Sequence, residues 1–323
     1  MSNASHSPKG GSAKTDTMTR RSILTTAAGL GAAAVAGPAA AQAAQASDEF
    51  TGKTAFVTGG ARGIGYACAE ALARGGANIV LFDIAEQIPE VPYPLASEAD
   101  LASAKSKIDA LGVGCIAIQG DVRDGAAQQA AVDRALAEFG SLDFAIANAG
   151  ITQIGPLASF TDAEMSLVLD INLKGVIKTV QAVTPAMQEQ NSGRIVLMSS
   201  VTGRTGSPNF PIYSASKWGV IGIAKSTAMA LGQSNVICNA VCPTLVHTGL
   251  LDNSYILSNI VPGQTLTFEQ FNEAAKSRHM LPVGLYEPSR VGDCVRFLCS
   301  ESSAMISGDV VDIGAGANAQ FPA

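Results

Sequence analysis

Thr54-Ala55-Phe56-Val57-Thr58 is a short apolar run of strand-forming residues. It leads straight into Gly59-Gly60-Ala61-Arg62-Gly63-Ile64-Gly65 and then a helical pattern from Tyr66 to Gly75. Strand, glycine turn and helix in that order leave few folds open. They put backbone N–H groups and the positive end of a helix where a pyrophosphate can sit. Glycine is needed because a Cβ would block the close approach or the φ > 0 turn. The glycine spacing alone is a weak signal, and its flanking strand and helix make it a strong one.

A second buried-strand run, Asn78 to Asp83, ends in a carboxylate at the distance expected for a ribose contact. Such a carboxylate accepts hydrogen bonds from the adenosine 2′- and 3′-hydroxyls and repels a 2′-phosphate, so Asp83 favours NAD over NADP. Arg62 pulls the other way if it meets a phosphate. Gly114 to Gln119 reads as a third strand with Asp121-Val122 at its end, and Leu142 to Ala147 as a fourth ending at Asn148-Ala149-Gly150. Strands alternating with helices such as Gly125 to Phe139 predict an α/β fold with a Rossmann-like doubly wound parallel sheet in a single domain. Its ligands bind beyond the carboxyl ends of the strands, where Asp83, Asp121 and Asn148 all fall.

Tyr213-Ser214-Ala215-Ser216-Lys217 places a phenol and an ammonium on one face of what reads as the start of a helix. A phenol of ordinary pKa about 10 carries protons poorly at neutral pH, and a nearby cation favours its phenolate. Alone, this pair is more often a packed ring and a solvated charge.

With these motifs in order, residues 50 to 318 resemble the short-chain dehydrogenase/reductase family. Thr58-Gly59-x3-Gly63-x-Gly65 is similar to its cofactor loop, and Asn148-Ala149-Gly150 to its Asn-Asn-Ala-Gly motif, with Ala147 replacing the first Asn. Asn172 resembles its helix asparagine, and Ser200 stands thirteen residues before Tyr213, as its serine does. The resemblance implies a tetrad. Tyr213 exchanges the proton with the substrate oxygen, and Lys217 lowers its pKa and holds the nicotinamide ribose. Ser200 hydrogen-bonds the carbonyl or carbinol oxygen, and Asn172 supports a water relay; Ser199 is the neighbour that merely caps or packs. Hydride moves between the nicotinamide and the substrate carbon. The same resemblance puts Gly59, Arg62, Gly63, Ile64, Gly65, Asp121, Val122, Asn148, Gly150 and Pro243 at the cofactor, and Val246 and Thr248 near the nicotinamide carboxamide.

Two features narrow the branch. Residues 84–98 hold a connection longer than usual, stiffened by Pro89, Pro92 and Pro94, and Cys242-Pro243-Thr244 stands where many relatives have Pro-Gly. Both are similar to the carveol-dehydrogenase-like branch. Some of its members hold NAD without exchange and pass electrons to a carrier such as mycofactocin. The expectation is an insertion lying over the adenosine half that slows NAD release, and an external electron acceptor.

Asn235 to Val241 reads as a further strand, and residues 249–286 loosen into a helix–loop–helix that the resemblance makes the substrate lid. Its Leu250, Leu251, Tyr255, Ile256, Leu257 and Ile260 predict an apolar pocket for an alcohol or ketone. Glu287 to Cys299 reads as a helix with Pro288 in its first turn, and Val310 to Gly316 as the last strand. By resemblance that strand and helix form a subunit interface, and a homotetramer is expected.

Of the 323 residues 47% are hydrophobic, enough for a sizeable core, and the formal net charge of -6 argues against a nucleic-acid or anionic-membrane partner. Six cysteines form no CxxC pair and read as buried thiols, and no metal centre is expected. Residues 1–46 read as a leader. A basic start, Arg20-Arg21, a weak Ala/Gly-rich run broken by Pro38 and small-x-small sites before Ser47 resemble a twin-arginine export signal rather than a membrane span. A periplasmic or exported protein is therefore expected, with the folded domain at residues 47–323. Two other functions share these residues: a redox-neutral epimerase or isomerase with tightly bound NAD, and a non-catalytic NAD-binding protein.

Overall fold

The structure, a computed structural model, describes residues 48–320. Seven parallel strands form one sheet: β1 (Thr54–Thr58), β2 (Asn78–Asp83), β3 (Cys115–Gln119), β4 (Phe144–Ala147), β5 (Gly193–Met198), β6 (Val236–Pro243) and β7 (Val310–Ile313). They lie in the order β3-β2-β1-β4-β5-β6-β7. Register pairs Thr58 with Phe82 on one side of β1 and with Ala147 on the other. The strand order reverses between β1 and β4, which is where a doubly wound sheet opens a crevice at its carboxyl edge.

Helices cover both faces of the sheet, so central strands are apolar throughout; every residue of β1 and β4 is buried. The helices are α1 (Gly63–Ala73), α2 (Glu98–Asp109), α3 (Gly125–Phe139), α4 (Asp162–Leu169), α5 (Gly175–Glu189), α6 (Pro211–Leu231), α7 (Ser254–Asn259), α8 (Phe268–Lys276) and α9 (Ser289–Cys299). Two clusters form the core. Phe56, Val80 and Phe82 join α3, α5 and α6 on one face, while Val57, Ile79 and Leu81 join α1, α2 and α9 on the other. Each such fully buried side chain contributes about 1.5–3 kcal/mol relative to exposure. Gly292 lets α9 lie against α1, since a Cβ there would sit 2.5 Å from the Ala67 carbonyl oxygen.

The elements follow the pattern read from the sequence with shifted ends: α1 begins earlier, at Gly63, and β6 runs on to Pro243, while others are shorter. β3 begins at Cys115 and β4 at Phe144, α9 starts only after Pro288, and the last strand stops at Ile313. The segment expected as the lid holds two short helices, α7 and α8, each entered through a side-chain cap, Asn253 and Thr267. A π-helical turn, Asp170–Lys174, joins α4 to α5 and was not legible in the sequence. All six cysteines are unpaired. Among the described residues no helix is long and apolar enough to cross a membrane. The leader at residues 1–46 lies outside the described residues.

Candidate active site

A cavity of about 690 Å³ opens at the carboxyl edge of the sheet. The glycine loop forms its floor. Gly59 has φ +64°, and a Cβ there would fall 2.8 Å from Asn148 Nδ2; one on Gly65 would fall 1.9 Å from the Gly59 carbonyl oxygen. Asn148 closes this turn by donating from Nδ2 to the carbonyls of Thr58 and Gly59, at 3.1 and 3.2 Å. No side chain caps the first turn of α1. Its free N–H groups and helix dipole leave a cradle for an anion, and Gly63 and Ile64 line the cavity there.

Asp83 lines the same cavity and is 6% exposed. Its two oxygens accept from the Ala61 and Ala85 backbone N–H groups, each at 3.0 Å. A carboxylate has about four lone-pair sites, so acceptor capacity for a ribose remains. Arg62 lines the cavity as well, and its guanidinium donates to the Pro94 carbonyl of the insertion. Asp121 and Val122 also line the cavity, with Asp121 paired to Arg123.

Three residues of the expected tetrad, Ser200, Tyr213 and Lys217, line the opposite wall, and Asn172 is buried outside the cavity lining. Tyr213 and Lys217 lie one turn apart on α6, and the Lys217 Nζ sits 5.4 Å from the Tyr213 ring centroid. Tyr213 hydrogen-bonds Ser200, whose Oγ accepts from the Thr202 N–H at 3.2 Å. Lys217 is 3% exposed and donates to the Met198 carbonyl at 2.8 Å. Ser199 has a structural contact, its hydroxyl donating to the Lys217 carbonyl at 2.8 Å.

Electrostatics in the chain alone differ from the sequence expectation. Burial pushes the Tyr213 phenol up to about 12, against a smaller downward pull from its Ser200 hydrogen bond. Burial likewise pushes Lys217 down to about 8, so the ammonium is itself weakened as a source of positive field. Asn172 differs too. It sits on the π-helical turn, fully buried, and its side chain clips Ile151 with two bonds of 2.8 Å and donates to Ser216 Oγ at 3.3 Å. Gly150 completes the fit: a Cβ there would lie 3.3 Å from Asn172 Oδ1 and 3.6 Å from Lys217 Nζ.

The insertion does more than sequence reasoning assigned to it. The Gln87 amide nitrogen donates to the carbonyls of Ile88, Val91 and Tyr93, and its oxygen accepts from the Leu95 N–H, so one side chain folds the loop around itself. Ile88, Val91 and Tyr93 are buried in the core. Tyr93 accepts from the Thr152 N–H at 2.8 Å, and its ring stacks on Tyr255 of α7 at 6.2 Å. Tyr255 in turn donates to the Ile154 carbonyl and accepts from its N–H. Insertion, lid and the segment after β4 are thereby joined at the cavity. A tyrosine between two prolines was the only sequence signal for this.

Pro243 ends β6 and Val246 follows it, and with Thr248 they line the cavity beside Leu250, Leu251 and Ile260 of the segment expected as the lid. The sequence profile described as short chain dehydrogenase matches residues 53–255. The chain belongs to the short-chain dehydrogenase family. An uncharacterized oxidoreductase of Mycobacterium tuberculosis is 39% identical over 82% of this chain and 96% of its own length. The (-)-trans-carveol dehydrogenase of Rhodococcus erythropolis is 34% identical, over 82% of this chain and 97% of its own. Among solved structures, carveol dehydrogenase from Mycobacterium avium in complex with NAD superposes with a TM-score of 0.81 at 35% identity, covering 83% of this chain and 98% of that one. In this dehydrogenase fold the glycine loop, Asp83 and the Tyr213–Lys217 wall face one cavity.

Proposed function

We propose that the protein is an NAD-dependent oxidoreductase that interconverts a secondary alcohol and a ketone, with Tyr213 as general acid/base. The observation that carries it is the convergence of Tyr213, Ser200 and Lys217 on a cavity whose other half has a glycine cradle and the Asp83 carboxylate. The cradle supports a dinucleotide, because glycine at 59 and 65, where a Cβ would strike Asn148 or the Gly59 carbonyl, lets the turn close tightly and bring the uncapped start of α1 to the cavity. The NAD named with the Mycobacterium avium carveol dehydrogenase supports its identity. NAD when bound supplies the hydride acceptor or donor.

In this reading Gly59, Gly63, Ile64 and Gly65 hold the pyrophosphate and Asp83 the adenosine ribose. Asp121, Val122, Asn148 and Gly150 line the middle of the groove. Lys217, Pro243, Val246 and Thr248 hold the nicotinamide end. Ser200 donates to the substrate oxygen and fixes it against the Tyr213 hydroxyl. For ketone reduction the neutral phenol is already in the form that donates a proton; for alcohol oxidation it must first lose one. The leucines and isoleucine of the lid support an apolar alcohol.

Retention of NAD, an external electron acceptor, export through a twin-arginine leader and a homotetramer stay part of the proposal. The buried insertion supports the first of these, and the exposed Phe297 and Met305 support a subunit interface at the last helix.

The test is oxidation of a panel of apolar secondary alcohols by the purified protein, followed with an artificial electron acceptor and with added NAD. Oxidation that falls about 10²–10⁴-fold in Tyr213→Phe is expected. Oxidation unaltered by that change sinks the assignment of Tyr213.

A further inference from the structure

Ser200, whose hydroxyl meets Tyr213, opens a tight turn of chain. Its carbonyl accepts from the Gly203 N–H at 2.8 Å, the Val201 carbonyl accepts from the Arg204 N–H at 3.0 Å, and its Oγ accepts from the Thr202 N–H within the turn. The approach of Ser200 Oγ to the Pro243 carbonyl, 3.5 Å, is long for a hydrogen bond between such groups. The turn therefore does most of the aiming.

One side of the turn rests on α6. Gly203 lies so close that a Cβ would fall 2.5 Å from Ser199 Oγ and 2.9 Å from the Lys217 carbonyl oxygen, and Trp218 Nε1 donates to the Thr205 carbonyl at 3.1 Å. The other side reaches β7 through Arg204. Its Nη1 lies 3.2 Å from Asp312 Oδ2 and 3.4 Å from the Val310 carbonyl oxygen, and the two side chains are 25% and 10% exposed. Asp312 pairs with Cys242 in the β6–β7 register, next to the Pro243 end of β6, and Asn318 donates to the same Oδ2 at 2.8 Å. Its Oδ1 is buried and meets no donor among the described residues, where Arg204 is the one cation paired with it. Parting the pair would leave a mostly buried charge without compensation, so the tie is firm.

Neither Arg204 nor Asp312 lines the cavity. The pair can reach the chemistry only through the turn. Resting on the alcohol–ketone reading above, we infer that Arg204 is a positioning residue, whose ion pair with Asp312 sets the direction of the Ser200 hydroxyl toward Tyr213 and the substrate oxygen. The last strand of the sheet thereby serves as the anchor of the serine turn, while α6 carries the tyrosine and lysine that face it.

The test reads Tyr213 itself. Tyrosine is labelled with carbon-13 at the ring carbon that bears the hydroxyl, and the Tyr213 signal is assigned by its loss in Tyr213→Phe. Ser200→Ala marks where that signal falls once the serine bond is gone. Arg204→Met alone strands the Asp312 charge, so the informative variant is the double one, Arg204→Met with Asp312→Leu, which leaves no lone charge buried. Its Tyr213 signal is expected to move toward the Ser200→Ala position, while Arg204→Lys, which keeps the cation, stays near wild type. Its kcat for alcohol oxidation is expected to fall about threefold to tenfold with KM little changed, the worth of one neutral hydrogen bond. A folded double variant whose Tyr213 signal keeps the wild-type position overturns the inference, whatever its kcat. A wild-type protein that oxidises no alcohol contradicts the proposed function instead, and the Tyr213 signal still decides the role of Arg204.

Discussion

The hydroxyl of Tyr93 accepts a hydrogen bond from the Thr152 backbone N–H at 2.8 Å, joining the insertion after β2 to the segment after β4. The insertion therefore reaches from the Asp83 end of the cavity to the neighbourhood of Gly150. In the proposed function a dinucleotide held beneath it leaves only when this strap opens.

Tyr93→Phe removes this bond and leaves the Thr152 N–H without its partner, a cost of about 1–3 kcal/mol. Faster loss of NAD through gel filtration is the expected outcome, and Gln87→Leu, which removes the bonds that fold the loop, is expected to have a larger effect. Deleting Pro89 to Pro94 with unchanged NAD retention contradicts the strap.

The cofactor half of this site was legible in the sequence because its geometry is local. Gly59, Gly63 and Gly65 lie together in the turn from β1 into α1, and Asp83 ends the neighbouring strand β2. The tetrad was legible through resemblance and the spacing of Tyr213 and Lys217 on α6. The contacts of Tyr93 with Thr152 and Tyr255, of Arg62 with Pro94, and of Thr244 with His279 join residues far apart in sequence. No local period encodes such pairs. The weakening of Lys217 was missed for a similar reason, since it depends on what buries the ammonium rather than on the residue four positions before it.

Lys217 gives stability a distinctive pH dependence. Its folded value, near 8, lies below its ordinary 10.5, so between those limits the unfolded chain binds more protons than the folded one. The Lys217 contribution therefore rises as pH increases through this window and is lost as pH falls through about 8. Measured in dinucleotide-free protein by urea unfolding, wild type minus Lys217→Met should grow more favourable between pH 7 and 10, by up to about 3 kcal/mol. A difference that stays flat contradicts a destabilised buried ammonium. Taking the difference removes the opposing effect of the buried cysteines, whose raised values lower the stability of both proteins above pH 9.

Asp83 is expected to carry dinucleotide choice. Asp83→Asn keeps an acceptor for one of the two backbone N–H groups but removes the charge that repels a 2′-phosphate. NAD affinity should fall and the NAD:NADP ratio should drop by about tenfold or more, read as released dinucleotide after incubation with both. An unchanged ratio places cofactor choice elsewhere.

Oxidation and reduction should separate with pH. Burial holds the Tyr213 phenol protonated, up to about 12 in the chain alone, so ketone reduction should hold steady through neutral pH, while alcohol oxidation rises with pH as the phenolate forms. Initial rates in both directions from pH 6 to 10 check this. Oxidation that is fastest at acid pH contradicts Tyr213 as the base.

Hydride transfer at the Tyr213 wall is tested most directly by one turnover with a secondary alcohol deuterated at the carbinol carbon. The dinucleotide is then released by denaturation and weighed. The account predicts NADH one mass unit heavier than the unlabelled cofactor in wild type, and unreacted NAD in Tyr213→Phe. Ketone formed while every released dinucleotide stays unlabelled and oxidised would contradict it.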